Sequence, residues 1–196
     1  MLRLGSIILL TWLAPTLAFA HVGVGETGGF AHGLAHPLGG LDHVLAMVAV
    51  GLIAAQLGGR AVWLVPASFI AMMVAGGALG MAGVGLPFVE VAIGLSVVVL
   101  GLVLALGLNL PVAAAMALVG FFAIFHGHAH GAEMPETASG LAYGSGFVLA
   151  TALLHVAGIA LGLAIGRAGA GDRLPIARFA GVAMSVAGLA LLGGLI

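Results

Sequence analysis

Six long apolar stretches, roughly 36–57, 61–82, 87–107, 111–130, 138–166 and 175–196, constrain this chain more than any other feature. Each is close to the ~20 residues that an α-helix needs to cross the hydrocarbon core of a bilayer. The expectation is an all-α, polytopic membrane helix bundle of six transmembrane helices. Composition agrees. Only 6% of the 196 residues are charged, against about 25% in soluble domains, so a soluble fold would have too little polar surface to show water. The 34 glycines fall largely inside the apolar runs, where small residues let membrane helices approach closely. Breaks come at Gly58-Gly59-Arg60, Gly83 to Pro87, Asn109 to Pro111, Glu133 to Glu136 and Arg167 to Pro175. Pro87, Pro111 and Pro175 stand where a following helix can begin, since proline suits the first turn.

Residues 1–20 read as a cleavable signal peptide. Arg3 provides the positive start, Leu4 to Leu13 a short apolar core, and Ala18-Phe19-Ala20 an A-x-A cleavage site. The competing reading is an uncleaved first anchor helix. Cleavage leaves residues 21–196 as a single six-helix transmembrane domain starting at His21. An outer amino terminus places the first, third and fifth breaks in the cytoplasm. Those breaks and the first turn of the last helix hold Arg60, Arg167, Arg173 and Arg178, all the Lys or Arg left after residue 20. Positive charge gathers on the cytoplasmic side of membrane proteins, so the two signals agree. The expected location is a bacterial inner (cytoplasmic) membrane, multi-pass, with the mature amino terminus periplasmic.

Several functions are excluded or disfavoured. A net charge of -1 offers no basic surface for nucleic acid. Without cysteine there is no disulfide, thiolate metal site or redox pair. Gly23-Val24-Gly25-Glu26-Thr27-Gly28 matches the dinucleotide pattern G-x-G-x-x-G, but no strand precedes it, so it implies no organic cofactor. No Walker A sequence points to ATP-driven pumping.

What stands out is eight histidines against five Lys and Arg. Imidazole is the commonest metal ligand, and an ionisable group within a membrane helix is costly enough to imply function. The densest cluster, His32 to His43, opens the first mature helix from the outer side. On a continuous helix His36 and His43, seven residues apart, lie on one face two turns apart. His32 precedes them on that line if the helix starts early, and Met47 follows one turn below His43. Gly40 leaves a gap between the imidazoles. Asp42 either completes a site shared with another helix or orients an imidazole. The second cluster, Phe125-His126-Gly127-His128-Ala129-His130-Gly131-Ala132-Glu133, ends the fourth helix on the same side. His126 and His130 share a face at i,i+4, and His128 points elsewhere.

His36, Asp42, His43, His126, His130 and His32 are therefore the expected metal residues, and His21, at the mature amino terminus, is counted with them. Met47, Glu90, His128, Thr151 and His155 are possible members of a pathway. Glu90 reads more readily as a first-turn acid favoured by the helix dipole. His155 lies deep in the fifth helix below Thr151, either as a lower step of the path or as a packed histidine. Gly158, Gly162 and Gly166 continue near that face as a helix-packing run. Imidazole and carboxylate without thiolate suit Ni²⁺, Co²⁺, Zn²⁺ or Cu²⁺.

The run His36-Pro37-Leu38-Gly39-Gly40-Leu41-Asp42-His43, with Met47 and Gly51, resembles the signature of the HupE/UreJ family, and Phe125 to Glu133 resembles its second motif. These are membrane proteins that accompany hydrogenase and urease gene clusters. The resemblance covers essentially the whole chain. It implies Ni²⁺ as a transported substrate, with Co²⁺ possible, moving by facilitated diffusion to supply hydrogenase or urease maturation proteins. It also implies His36, Asp42 and His43 as transport residues, with His126 and His130 beside them. The chain is then not an enzyme. Two other classes stay open: a non-transporting accessory protein that holds metal, and an intramembrane metal enzyme, which the sequence supplies with no evident nucleophile.

Overall fold

The computed structural model describes residues 28–134, 139–168 and 174–195. The expected signal peptide at 1–20 and His21 lie outside the described residues. Within them the chain forms seven α-helices and no strand: α1 (Gly28–Gly39), α2 (Leu41–Leu57), α3 (Ala61–Met81), α4 (Val89–Ala105), α5 (Val112–Ala132), α6 (Gly140–Ala168) and α7 (Leu174–Leu192). Three of these, α3, α5 and α6, are long and apolar enough to cross a membrane, and α1 with α2 makes a fourth if the bent pair is one span. The α4 helix and the Ile176–Leu192 part of α7 are apolar but shorter. At 1.5 Å per residue the 17 residues of α4 reach about 26 Å, slightly less than the ~30 Å hydrocarbon core. Of the six membrane-crossing helices expected, length and composition alone show three, or four with the bent pair.

The largest departure from expectation is at the first apolar run. The continuous helix expected over 36–57 is two helices bent by 83° at Gly40. Three local features explain the break. Pro37 has no N–H to donate back to its own helix. Gly39 and Gly40 are weak helix formers, and Gly40 takes an extended conformation at φ -105°, ψ 122°. Asp42 then restarts the helix, its Oδ1 accepting the His43 backbone N–H at 2.7 Å, a donor that no preceding turn can satisfy.

The α2 helix is the centre of the bundle. From Ala46 to Ala54 nearly every side chain is buried, with α6, α4 and α3 as its main neighbours. The other close pairs are α3 with α5, α4 with α7 and α1 with α6. Glycine makes the α3–α5 contact possible. A Cβ on Gly127 would collide with the Met73 carbonyl, and one on Gly131 with the Gly77 carbonyl. The two backbones therefore touch directly beside the histidines of α5. On α6, Gly158 abuts the Val48 carbonyl and Gly162 meets Ala55, whereas Gly166 has open space, so the expected packing run ends at Gly162.

Contacts define two ends. At one, Gln56 Nε2 donates to the Leu108 carbonyl at 3.0 Å, joining the end of α2 to the α4–α5 turn. Arg178 lies against Gly107 at the same end. At the other, His128 Nε2 donates to the Val84 carbonyl at 2.6 Å, joining the end of α5 to the α3–α4 turn. Arg178 and the histidine clusters thus occupy opposite ends.

Candidate metal centre

Three helices bring the two histidine clusters together. The early start of α1 places His32 and His36 one turn apart, their rings stacked with centroids 5.7 Å apart. The bend at Gly40 then turns α2 away, so His36 and His43 do not share a helix face as a continuous helix would require. They meet instead through His130 of α5. Ring centroids of His130 lie 4.7 Å from His36 and 4.3 Å from His43. One turn earlier on α5, the His126 ring lies 4.7 Å from His43. The rings form one line: His32, His36, His130, His43, His126.

Exposure is greatest at the outer members and low at the inner three, His130, His43 and His126. The side chain of Glu133 is 62% exposed and that of His36 30%. His130 is 5% exposed and His126 wholly buried. The line therefore leads from a wet mouth into the bundle. At the mouth, one ligand atom each from His36, His130 and Glu133 lies within 4.8 Å of the others, and His36 Nε2 is 3.8 Å from Glu133 Oε2. Beside it a cavity of about 560 Å³ between α3, α5 and α6 reaches His130 past Met81, Met134 and Tyr143. Its walls are apolar, so the polar approach to His130 is from the His36–Glu133 side.

Hydrogen bonds set the proton positions on the inner rings. Asp42 Oδ1 lies 2.8 Å from His43 Nδ1, which therefore carries the proton and leaves Nε2 as a lone pair. That is the second of the two roles expected for Asp42, orienting an imidazole rather than joining another helix. A Cβ on Gly40 would come within 2.6 Å of this carboxylate and 3.0 Å of the ring, so Gly40 leaves room for the pair. His43 Nε2 therefore accepts from His130 Nε2–H across 2.6 Å, which leaves His130 Nδ1 buried without a partner among the described residues. Two imidazole nitrogens on one first-row metal, each bonded at about 2 Å, sit about 3 Å apart, so a small parting of these rings, with the His130 proton moved to Nδ1, admits an ion. His126 is oriented in the same manner. The Ser96 hydroxyl donates to the Ile93 carbonyl at 2.6 Å, so its oxygen accepts from His126 Nε2–H at 2.9 Å. His126 Nδ1 is thereby a lone pair, buried and with no hydrogen-bond partner among the described residues.

The other expected residues divide clearly. Met47 is fully buried one turn below His43. His128 faces away from the line toward Val84. Glu90 is exposed in the first turn of α4, with no hydrogen bond or ion pair to the histidines among the described residues. Thr151 and His155 are buried on α6, below the cluster. Ser96, Glu133 and Tyr143 were not expected at the site. Glu133 ends the second histidine cluster, which was a usable signal. A lone serine in an apolar helix and the one tyrosine carried none.

The sequence matches the protein family described as HupE / UreJ protein over residues 8–191. It is 50% identical over 181 residues to Protein HupE of Rhizobium leguminosarum bv. viciae, a match that covers 92% of each chain. No solved structure matches it.

Proposed function

Since this chain belongs to the HupE/UreJ family, we propose that it is a permease through which Ni²⁺ crosses a bacterial inner membrane into the cytoplasm, to supply hydrogenase or urease maturation. Co²⁺ is the alternative cargo. The supporting observation is the convergence of His36, His43, His126 and His130 from three helices into one line with a partly exposed outer member and three buried inner ones. A buried imidazole line of this kind has no structural need in a lipid-solvated bundle, where apolar side chains pack at lower cost.

His36, His130 and Glu133 take the arriving ion, exchanging its water for nitrogen and carboxylate. His130 belongs equally to the inner set with His43 and His126, so it hands the ion on without releasing it to bulk water. Asp42 and Ser96 hold the inner rings in the tautomers that ligate. The short ligand list keeps the ion weakly held, as passage requires.

The topology proposed with this function has a cleaved signal, six membrane passages, the histidine end in the periplasm and the arginine end in the cytoplasm. Reporter fusions at the α2–α3 and α5–α6 turns should report opposite sides. Function is tested by nickel accumulation in cells without other high-affinity uptake. At submicromolar external nickel the intact protein should raise cell nickel, and His43→Ala should abolish the rise while remaining in the membrane. A His43→Ala variant that accumulates nickel normally removes this line of residues from the mechanism. A protein that binds nickel but never raises the cell content is a metal-holding accessory instead.

A further inference from the structure

Below the outer cluster α3 and α6 run antiparallel in a simple register. Phe69 faces His155, ring centroids 5.1 Å apart at 90°. One turn along each helix, Met73 faces Thr151, whose Oγ1 lies 3.5 Å from the Met73 sulfur. Tyr143, Phe147, Thr151 and His155 repeat every four residues and are all buried, so a single face of α6 runs from the mouth into the interior. Phe147 touches His130 near the top of that face, centroids 4.2 Å apart. His155 is 1% exposed, and neither of its ring nitrogens has a hydrogen-bond partner among the described residues.

A histidine kept only for packing does not fit this position. Buried polar groups are almost always hydrogen-bonded, and exceptions call for an explanation. A leucine would fill the same space with no nitrogen to satisfy. The Phe69 ring lies near both His155 and the outer line, its centroid 5.8 Å from that of His126.

On this geometry we propose that His155, Thr151 Oγ1 and Met73 Sδ form an inner station for a divalent transition-metal cation, distinct from the outer histidine line. The inference rests on the permease reading only for its role in transit. An imidazole nitrogen with a hydroxyl and a thioether suits a borderline cation such as Ni²⁺ or Co²⁺ and disfavours Mg²⁺ or Ca²⁺, which prefer all-oxygen sites. Three neutral donors bind more weakly than the outer set with its Glu133 carboxylate, so the ion moves inward and does not stay.

Ni²⁺ binding to the purified full chain in micelles tests the station directly. A variant carrying His36→Ala, His43→Ala and His130→Ala should keep a single equivalent of Ni²⁺, and adding His155→Leu should remove it. No residual equivalent, or one that survives His155→Leu, overturns the proposal. In vesicles, His155→Leu alone should cut Ni²⁺ uptake by about tenfold or more, the least that follows from losing a ligand if an orienting partner is worth that much. Its thermal midpoint should hold or rise, because two unsatisfied nitrogens are gone. Thr151→Val, nearly isosteric, should lower uptake more mildly. Normal uptake by both variants makes His155 a packing residue. If the wild type carries no Ni²⁺ while the inner equivalent persists and depends on His155, the permease reading fails and the site stands.

Discussion

Replacing Asp42 with asparagine removes a charge but keeps an oxygen near His43, which separates two contributions of this carboxylate. In the native protein Oδ1 accepts both the His43 backbone N–H at 2.7 Å and Nδ1–H at 2.8 Å. The first contact lies in the first turn of α2, and the second fixes the tautomer that leaves His43 Nε2 a lone pair, directed at His130. An amide oxygen still accepts these bonds, but less strongly, and no longer raises the basicity of the ring. Loss of such an orienting partner weakens metal binding by about 10–100-fold, or about 1.4–2.8 kcal/mol at 1.4 kcal/mol per tenfold. The cost to the helix start is smaller, about 0.3–1 kcal/mol for a first-turn acid, so the variant should still reach the membrane. The assay is the concentration dependence of radioactive Ni²⁺ uptake into vesicles. Asp42→Asn should raise the half-saturating concentration by about 10–100-fold, and Asp42→Ala should raise it further because the ring is then free to turn. An unchanged half-saturation in both variants refutes the orienting role of Asp42.

His128→Gln should retain most of its uptake, since His128 faces Val84, whereas His130→Ala should lose nearly all of it; equal losses in the two assays would contradict the assignment of His130 to both ligand sets. Gly127→Val should lower the thermal midpoint and the amount of protein in the membrane, because its side chain would strike the Met73 carbonyl; overpacking of this kind costs about 1–3 kcal/mol. Gly144→Ala, with nothing within 4 Å of the added methyl, should leave both unchanged. Uptake should fall on acidification of the outer side, because a protonated ring has no lone pair for metal. Initial rates across outer pH at constant potential check this, and a rate that rises on acidification would count against imidazole ligation.

Hydropathy made the helical class and most helix limits legible, since α3 and α5 each lie within two residues of the apolar runs that predict them. The i,i+4 spacing of His126 and His130 also carried through, because α5 stays helical to Ala132. The bend at Gly40 was harder to read. Pro37 and two glycines weaken a helix, but the sequence does not show that α1 packs on α6 instead of continuing α2. Because of that bend, the relation of His36 to His43 follows from His130, far away in sequence, and not from their spacing of seven. Ser96 was invisible for a similar reason. Its importance lies in a partner on another helix, and a serine that bonds back to its own Ile93 carbonyl looks ordinary in sequence. The antiparallel register that sets His155 beside Phe69 likewise depends on helix pairing, which apolar periodicity alone does not specify.

The proposed transport role is tested most directly with purified protein in vesicles under an imposed potassium–valinomycin potential. A charge crossing 100 mV gains about 2.3 kcal/mol, so a divalent ion gains about 4.6 kcal/mol with the interior negative. At about 1.4 kcal/mol per tenfold, that supports more than a thousandfold accumulation with no nucleotide present. The predicted result is Ni²⁺ accumulation that needs an inside-negative potential, collapses when the potential is dissipated, and is lost in His43→Ala. Uptake no greater than in protein-free vesicles, or uptake that ignores the potential and requires a pH gradient, would contradict it.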